Sequence, residues 1–280
     1  MRDPDYHLEL SGAPGAPLVH LAPANGFPPE CYRSVADCLA PGMRVLGYRP
    51  RPLWPGSQPG AVHSWRAMAH EMLTAMTRVS DEPVLGVGHS FGGVLTLYAA
   101  VAAPERFRGL VLIEPVLLAR HMLPLIWFMQ RLGQHYRFPL ARRASRRTDR
   151  FRSLEEARNR LSGRGAFANM TPEAFEHYLE SALRLDTSGA LRLAWSREWE
   201  AQIFATLPTD VWRMLRRLRL PLLFVRGAQS DLIVDAIWKD VARFAPQARF
   251  AEISGGHMLP MEQPAAVATL ITEWANELPR

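Results

Sequence analysis

The residues G-H-S-F-G at positions 88–92 place one serine between two glycines in the spacing G-x-S-x-G. An apolar run at 83–88 leads into the motif and a helix-forming run at 91–103 follows it. This context predicts a tight strand-to-helix turn, in which a strained backbone pushes the hydroxyl oxygen of Ser90 out above a sheet. The pattern therefore predicts that Ser90 is a nucleophile.

The residues around the serine fit the same turn. Gly88 and Gly92 lack the Cβ atoms that would collide where the strand and the helix approach each other. The amide of Phe91 falls in the first turn of the predicted helix, where a backbone N–H has no acceptor within the helix. We expect it to donate a hydrogen bond to a developing oxyanion. His89 should point away from the serine and shape the site.

A serine hydroxyl is a weak nucleophile until a base takes its proton. The segment S-G-G-H-M-L-P at 254–260 follows a predicted strand and precedes the last predicted helix. Its glycines allow a loop that delivers His257 to the carboxyl edge of the sheet. We therefore expect His257 to be the base, and we count the adjacent Met258 among the candidate pocket residues.

An acid is needed to hold the tautomer of the histidine and to stabilise the imidazolium. Asp231 lies just past the predicted strand 221–226, in a loop that should face the same edge of the sheet. The resulting chain order, Ser90, Asp231, His257, is the one expected for a serine at a strand-to-helix turn. Glu114 is the alternative acid, because it ends the strand that follows the nucleophile.

Short β-prone runs alternate with helical patterns over both ends of the chain, as in an α/β protein with a mostly parallel sheet covered on both faces. The helical patterns include those near 29–40, 62–79 and 262–277. We assign residues 1–115 and 220–280 to this core domain. Residues 116–219 contain amphipathic helical patterns and no convincing strand, so we expect a helical cap, or lid, inserted into the core. Its apolar stripe makes Met122 and Trp127 candidate pocket residues.

The 280-residue chain carries a formal charge of +6. The excess of positive charge is concentrated between residues 137 and 164, which contain ten arginines and three acidic residues. A solvated face, steering of an anionic substrate and weak contact with anionic lipid are all compatible with that run. We see no nucleic-acid-binding motif, signal peptide or transmembrane segment, so we expect a cytoplasmic protein. The oligomeric state is left open.

With these motifs, the chain resembles the α/β-hydrolase superfamily with a helical cap, over essentially its whole length. The family usually has His-Gly before the residue whose amide completes the oxyanion hole, and here Asn25-Gly26 precedes Phe27. The resemblance implies that Phe27 supplies the second amide. The A-N-G-F-P form and the sequence that begins R-F-R-S-L-E-E at 150 are similar to capped bacterial and fungal esterases or lipase-like hydrolases.

The resemblance implies a serine hydrolase that cleaves an ester or related acyl bond of a largely apolar small molecule through an acyl-enzyme on Ser90. It implies no metal and no organic cofactor. A carbon–carbon bond hydrolase and an acyltransferase with the same triad remain open, because the sequence does not separate them. A ligand receptor with slow turnover is the alternative from another class.

Overall fold

The computed structural model describes residues 5–61 and 64–279. The strands in these ranges, in chain order, are β1 (His7–Ser11), β2 (Leu18–Ala22), β3 (Arg44–Tyr48), β4 (Val84–His89), β5 (Phe107–Ile113), β6 (Arg150–Phe151), β7 (Leu183–Leu185), β8 (Leu191–Leu193), β9 (Leu222–Gly227) and β10 (Ala248–Ile253).

The α-helices of the same ranges are α1 (Arg33–Leu39), α2 (Trp65–Met76), α3 (Phe91–Ala102), α4 (Leu123–Arg131), α5 (Pro139–Ser145), α6 (Leu154–Leu161), α7 (Pro172–Ala182), α8 (Arg197–Ala205), α9 (Val211–Arg217), α10 (Asp235–Phe244), α11 (Leu259–Glu262) and α12 (Pro264–Glu277). Short 3₁₀ turns occupy Pro29–Tyr32, Arg51–Leu53, Pro59–Ala61, Pro104–Arg106, Arg120–Met122, His135–Arg137 and Gly165–Phe167. None of the helices within the described ranges is long and apolar enough to cross a bilayer.

The central sheet has seven strands in the order β1-β3-β2-β4-β5-β9-β10. Strand β1 runs antiparallel to β3, and the remaining pairs are parallel. Residues of β4 are buried along its whole length, as are nearly all residues of β5 and β9. Strands buried on both faces read as continuous apolar runs, which is why the sequence predicted them. The predicted mostly parallel sheet is confirmed.

Helices cover both faces of this sheet. On one face α1 packs against α12, and on the other α2 packs against α3. Two buried apolar clusters fill the space between helices and sheet, one containing Leu39 and Ile271 and the other containing Met72 and Leu97. The carboxyl ends of β2, β4, β5, β9 and β10 consequently meet at one edge, where the loops after them come together.

The segment 116–219, between β5 and β9, differs from the expectation in one respect. It contains α4 to α9, but also a three-stranded antiparallel sheet in the order β6-β8-β7, so the expectation of no strand there is wrong. These strands are only two or three residues long. A strand of that length presents too few residues for a period-two pattern to be visible.

Helix bounds differ slightly from the sequence expectations. The helix expected near 29–40 begins as a 3₁₀ turn at 29–32 and becomes α-helical at Arg33. The helix expected near 62–79 begins at Trp65, and the first residues of that expectation lie outside the described residues. The closing helix, expected near 262–277, is α12, which begins at Pro264, and the short helix α11 precedes it at Leu259–Glu262.

Candidate active site

Ser90 lies at the junction of β4 and α3, in a backbone conformation that few residues adopt. Its φ is 54° and its ψ is −115°. A Cβ atom on Gly92 would lie 2.1 Å from the carbonyl oxygen of Ala22, and one on Gly88 would lie 2.6 Å from that of Gly92. Only glycine fits at both positions, so the sequence permits the close approach that holds Ser90 in this strained turn.

His257 lies on the loop between β10 and α11, and its imidazole contacts the serine. The Nε2 atom of His257 is 3.0 Å from Oγ of Ser90. Ser90 is buried, at 7% exposed, whereas the side chain of His257 is partly open to solvent. This is hydrogen-bonding distance for a base that removes a proton from the serine hydroxyl.

The other nitrogen of His257 contacts Glu114. The Nδ1 atom is 3.1 Å from Oε2 of Glu114, which follows directly after β5. This glutamate is completely buried and has a left-handed φ of 47°. A ring that donates from Nδ1 to the carboxylate leaves Nε2 free to accept from Ser90, so the two contacts select one tautomer.

Two further donors hold the carboxylate of Glu114. Its Oε1 atom accepts a hydrogen bond from the amide of Gly227 at 2.8 Å, and its Oε2 atom accepts one from the hydroxyl of Ser230 at 2.6 Å. Both donors come from β9 and the loop after it. A buried carboxylate with this set of partners is fixed in position and satisfied as an acceptor.

Asp231, which we expected to contact His257, does not do so. It is exposed, and within the described parts of the chain it has no hydrogen bond or ion pair. The loop after β9 turns Ser230 inward, where its hydroxyl oxygen also accepts from the amide of Ile233 at 2.8 Å. Because the side chain of Ser230 occupies the inward direction in this loop, that of Asp231 faces outward. Glu114 contacts His257 instead.

A chain of buried hydrogen bonds runs beneath the site. The amide of Ala24 donates to the hydroxyl oxygen of Tyr32 at 2.8 Å, and that hydroxyl lies 2.7 Å from Nδ1 of His89. The Nε2 atom of His89 lies 2.9 Å from the backbone carbonyl oxygen of His257. A carbonyl can only accept, so His89 donates from Nε2 and accepts from Tyr32 at Nδ1.

Burial keeps the side chains of this hydrogen-bond network uncharged. Burial, together with the neighbouring His257, lowers the pKa of His89 to about 3. Burial also raises the pKa of Tyr32 well above its usual value. His89 therefore shapes the site as a neutral group and does not act as the base. No motif in the sequence singled out Tyr32, which becomes visible only when the loops are assembled.

The two amides expected to form an oxyanion hole differ in their surroundings. Phe91 is the first residue of α3, where the helix offers its N–H no acceptor. The amide of Phe27 donates to the carbonyl oxygen of Ala24 at 3.2 Å, within a turn. To donate to an oxyanion, the Phe27 amide would have to share or break its hydrogen bond to Ala24.

The segment 116–219 contacts the loop that contains Phe27. The side-chain amide of Asn25 donates to the backbone carbonyl oxygen of Glu200 at 3.1 Å. The carboxylate of Glu200 in turn pairs with Arg147 at 2.6 Å, and Arg147 also donates to the hydroxyl of Tyr178 at 2.6 Å. Sequence reasoning missed Arg147 and Glu200, because nothing distinguishes them from the other charged residues of this segment.

A cavity of about 1190 Å³ lies beside the histidine. His257 and Met258 line it, as does Phe27, so the structure places Met258 at the cavity. Met122 and Trp127, the other candidate pocket residues, are 44% and 51% exposed, and neither lines this cavity. They belong to the outward face of α4 and the turn before it, whose one deeply buried side chain is Ile126.

Within residues 5–61 and 64–279, no group of three or more histidine, cysteine, aspartate or glutamate side chains is arranged to hold a metal ion. A strained serine, a histidine and a buried carboxylate in hydrogen-bonding contact can generate an alkoxide nucleophile and return the proton to a leaving group.

Comparison with known proteins identifies the family of the chain. A model of the family described as alpha/beta hydrolase fold matches residues 10–264. The chain is also similar to the AB hydrolase superfamily protein YfhM of Bacillus subtilis (strain 168), with 23% identity over 279 residues, 96% of this chain and 93% of that protein.

Two solved structures illustrate the likeness of fold. E-2-(acetamidomethylene)succinate hydrolase superposes with a TM-score of 0.80 at 19% identity, covering 96% of this chain and 94% of that one. The thioesterase domain from the curacin biosynthetic pathway superposes with a TM-score of 0.75 at 23% identity, covering 94% and 93%. At these identities the likeness establishes a common fold.

Proposed function

Since this chain belongs to the alpha/beta hydrolase fold family, we propose that it is a serine hydrolase that cleaves an ester or related acyl bond through an acyl-enzyme on Ser90. The observation that carries the proposal is the pair of contacts made by His257, to Ser90 at 3.0 Å and to Glu114 at 3.1 Å. Glu114 takes the role of the acid in place of Asp231.

The first half of the reaction forms the acyl-enzyme. His257 Nε2 accepts the proton of Ser90 as the Oγ atom attacks the carbonyl carbon of the substrate. Glu114 accepts the hydrogen bond from Nδ1 and stabilises the imidazolium that results. The amides of Phe91 and Phe27 stabilise the oxyanion, and collapse of the intermediate releases the alcohol, which takes its proton from His257.

The second half returns the enzyme to its starting state. A water molecule gives a proton to His257 and attacks the acyl carbon, and Ser90 Oγ leaves with the proton that His257 gives back. The products are a carboxylic acid and an alcohol.

The segment 116–219 acts in this proposal as a cap over a core formed by residues 1–115 and 220–280. Its support is that the cavity beside His257 is lined mainly by side chains of this segment, including Leu161 and Phe167. The contact between Asn25 and Glu200 also joins the segment to the loop of the core that carries Phe27.

Labelling by a fluorophosphonate, together with hydrolysis of p-nitrophenyl esters of graded chain length, tests the proposal. We expect the wild-type protein to be labelled once and to hydrolyse at least one ester. Ser90→Ala should abolish labelling and lower kcat by at least about 10⁴-fold, because the nucleophile and its base act as a unit.

Ser188→Ala is the matched control, because Ser188 is an exposed serine in the turn between β7 and β8. It should be labelled and should hydrolyse the esters as the wild type does. A folded wild-type protein that is neither labelled nor active, or a Ser90→Ala variant that keeps both properties, would contradict the proposal.

A further inference from the structure

The cavity beside His257 is lined by more positively than negatively charged side chains. Six arginines line it, against three carboxylates, those of Glu200, Asp231 and Glu262. The arginines are Arg142, Arg143, Arg146, Arg147, Arg160 and Arg164. They belong to α5, α6 and the residues directly after these helices, so part of the arginine-rich run in the sequence faces the site.

Two of the six arginines are neutralised by nearby carboxylates. Arg147 pairs with Glu200 at 2.6 Å, and Arg160 pairs with Glu156 at 2.9 Å. Glu262 is also occupied, since its carboxylate accepts hydrogen bonds from two backbone amides of the 254–260 loop, at 2.6 Å and 3.2 Å. It is therefore committed to holding His257 in place.

The other four arginines have no such partner. Among the residues that the structure describes, Arg142, Arg143, Arg146 and Arg164 form no ion pair, and all four are exposed. Like charges on one wall of a cleft repel each other, and the cleft concentrates their field. The carboxylate of Asp231 also lines the cavity without an ion pair to any described residue and offsets one of these charges, so an excess of positive charge remains beside the histidine.

Guanidinium groups are suited to a particular kind of ligand. Each presents a rigid, planar set of donors that matches the two oxygens of a carboxylate or phosphate. Anions close to several such groups gain charge-assisted hydrogen bonds that a neutral ligand cannot form. The largely apolar substrate expected from the sequence would leave these donors unused.

We propose that this cavity binds the anionic portion of the substrate, so that the enzyme prefers acyl substrates carrying a carboxylate or phosphate group. The bond cleavage in this proposal rests on the proposed function, whereas the recognition of an anion by the cavity does not. The segment 116–219 then sets the substrate specificity of the serine chemistry in the core.

A pair of esters of matched length tests the preference. At low salt, kcat/KM of the wild type should be at least about 10-fold higher for mono-p-nitrophenyl glutarate than for the neutral p-nitrophenyl pentanoate. The ratio should fall as the ionic strength rises, because salt screens charges that are exposed to solvent.

Two double variants locate the effect. Arg143→Gln combined with Arg146→Gln should reduce the preference for the anionic ester by about 10-fold. The control combines Arg137→Gln with Arg152→Gln, because these arginines belong to the same run but do not line the cavity. This control variant should keep the wild-type preference for the anionic ester. Equal kcat/KM for the two esters in the wild type, or an equal loss on both esters in the cavity variant, would overturn the inference.

Binding measured without turnover separates this inference from the proposed function. In Ser90→Ala, glutarate should bind in calorimetry more tightly than neutral glutaramide, and Arg143→Gln with Arg146→Gln should remove the difference. If neither ester is hydrolysed while this binding pattern holds, the proposed function fails and the inference stands. If both esters are hydrolysed with equal kcat/KM and glutarate does not bind, the inference is overturned and the proposed function stands.

Discussion

At the scale of single residues, Tyr32 joins two loops that the chemistry depends on. Its hydroxyl accepts from the amide of Ala24, three residues before Phe27, and donates to His89, which holds the carbonyl of His257. One buried phenol thus connects the loop of the proposed oxyanion hole with the loop of the proposed base. It contacts no reacting atom, so we regard it as a positioning residue.

Tyr32→Phe should lower kcat by about 10-fold while KM changes by less than about twofold, because the base and the oxyanion donors lose their alignment. Two buried polar groups would also lose their partner, at a cost of about 1–3 kcal/mol each in the free energy of unfolding. Steady-state kinetics on a p-nitrophenyl ester, with urea unfolding alongside, measure both effects.

Tyr48→Phe is the matched control for this change. Tyr48 is equally buried, but its hydroxyl has no hydrogen-bond partner among the described residues. Loss of the Tyr48 hydroxyl should leave kcat unchanged. If Tyr32→Phe retains the wild-type kcat, the hydrogen-bond chain does not position the site.

At the scale of elements, the loop after β9 explains why the carboxylate that contacts His257 could not be assigned from sequence. Both Glu114 and Asp231 follow strands whose carboxyl ends meet at the same edge, so strand order alone allowed either to reach His257. The outcome depends on which side chain the loop turns inward, and Ser230 occupies that direction. A sequence pattern carries no information on such a direction.

The serine and the histidine were easier to predict, because their local sequence determines their setting. Gly88 and Gly92 are needed for the turn around Ser90, and the glycines before His257 mark a loop at the edge of the sheet. The pocket was harder to predict. An apolar stripe such as that of α4 looks the same whether it faces a cavity or the exterior, as Trp127 does here.

At the scale of the whole molecule, the sheet followed from the long buried runs of β4, β5 and β9, whereas the small sheet of β6 to β8 did not. The same burial that made the main sheet predictable has a consequence for stability. It encloses His20 and His89 and partly covers His7, whose Nε2 atom lies 3.0 Å from that of His20.

Burial lowers the pKa of His7 to about 4 and that of His89 to about 3, and it lowers that of His20 well below its usual value. An unfolded histidine titrates near pH 6.5, so between pH 6.5 and pH 4 the unfolded chain binds more protons than the folded one. The stability is therefore full above pH 6.5 and falls as the pH decreases.

We expect the free energy of unfolding to decrease by about 2 kcal/mol for each of His7 and His89 between pH 7 and pH 5. Urea unfolding at the two pH values measures this decrease. His7→Gln should reduce it by about that amount, whereas His70→Gln should not, because His70 is exposed. A stability that does not depend on pH over this interval would contradict the expectation.

The assignment of Glu114 as the acid is the central claim for the whole site, and a comparison of two isosteric variants tests it most directly. With a neutral p-nitrophenyl ester as substrate, Glu114→Gln should lower kcat by about 10³–10⁴-fold, because the amide no longer stabilises the imidazolium. Asp231→Asn should change kcat by no more than about threefold. A large loss in Asp231→Asn, together with near wild-type turnover in Glu114→Gln, would contradict the account.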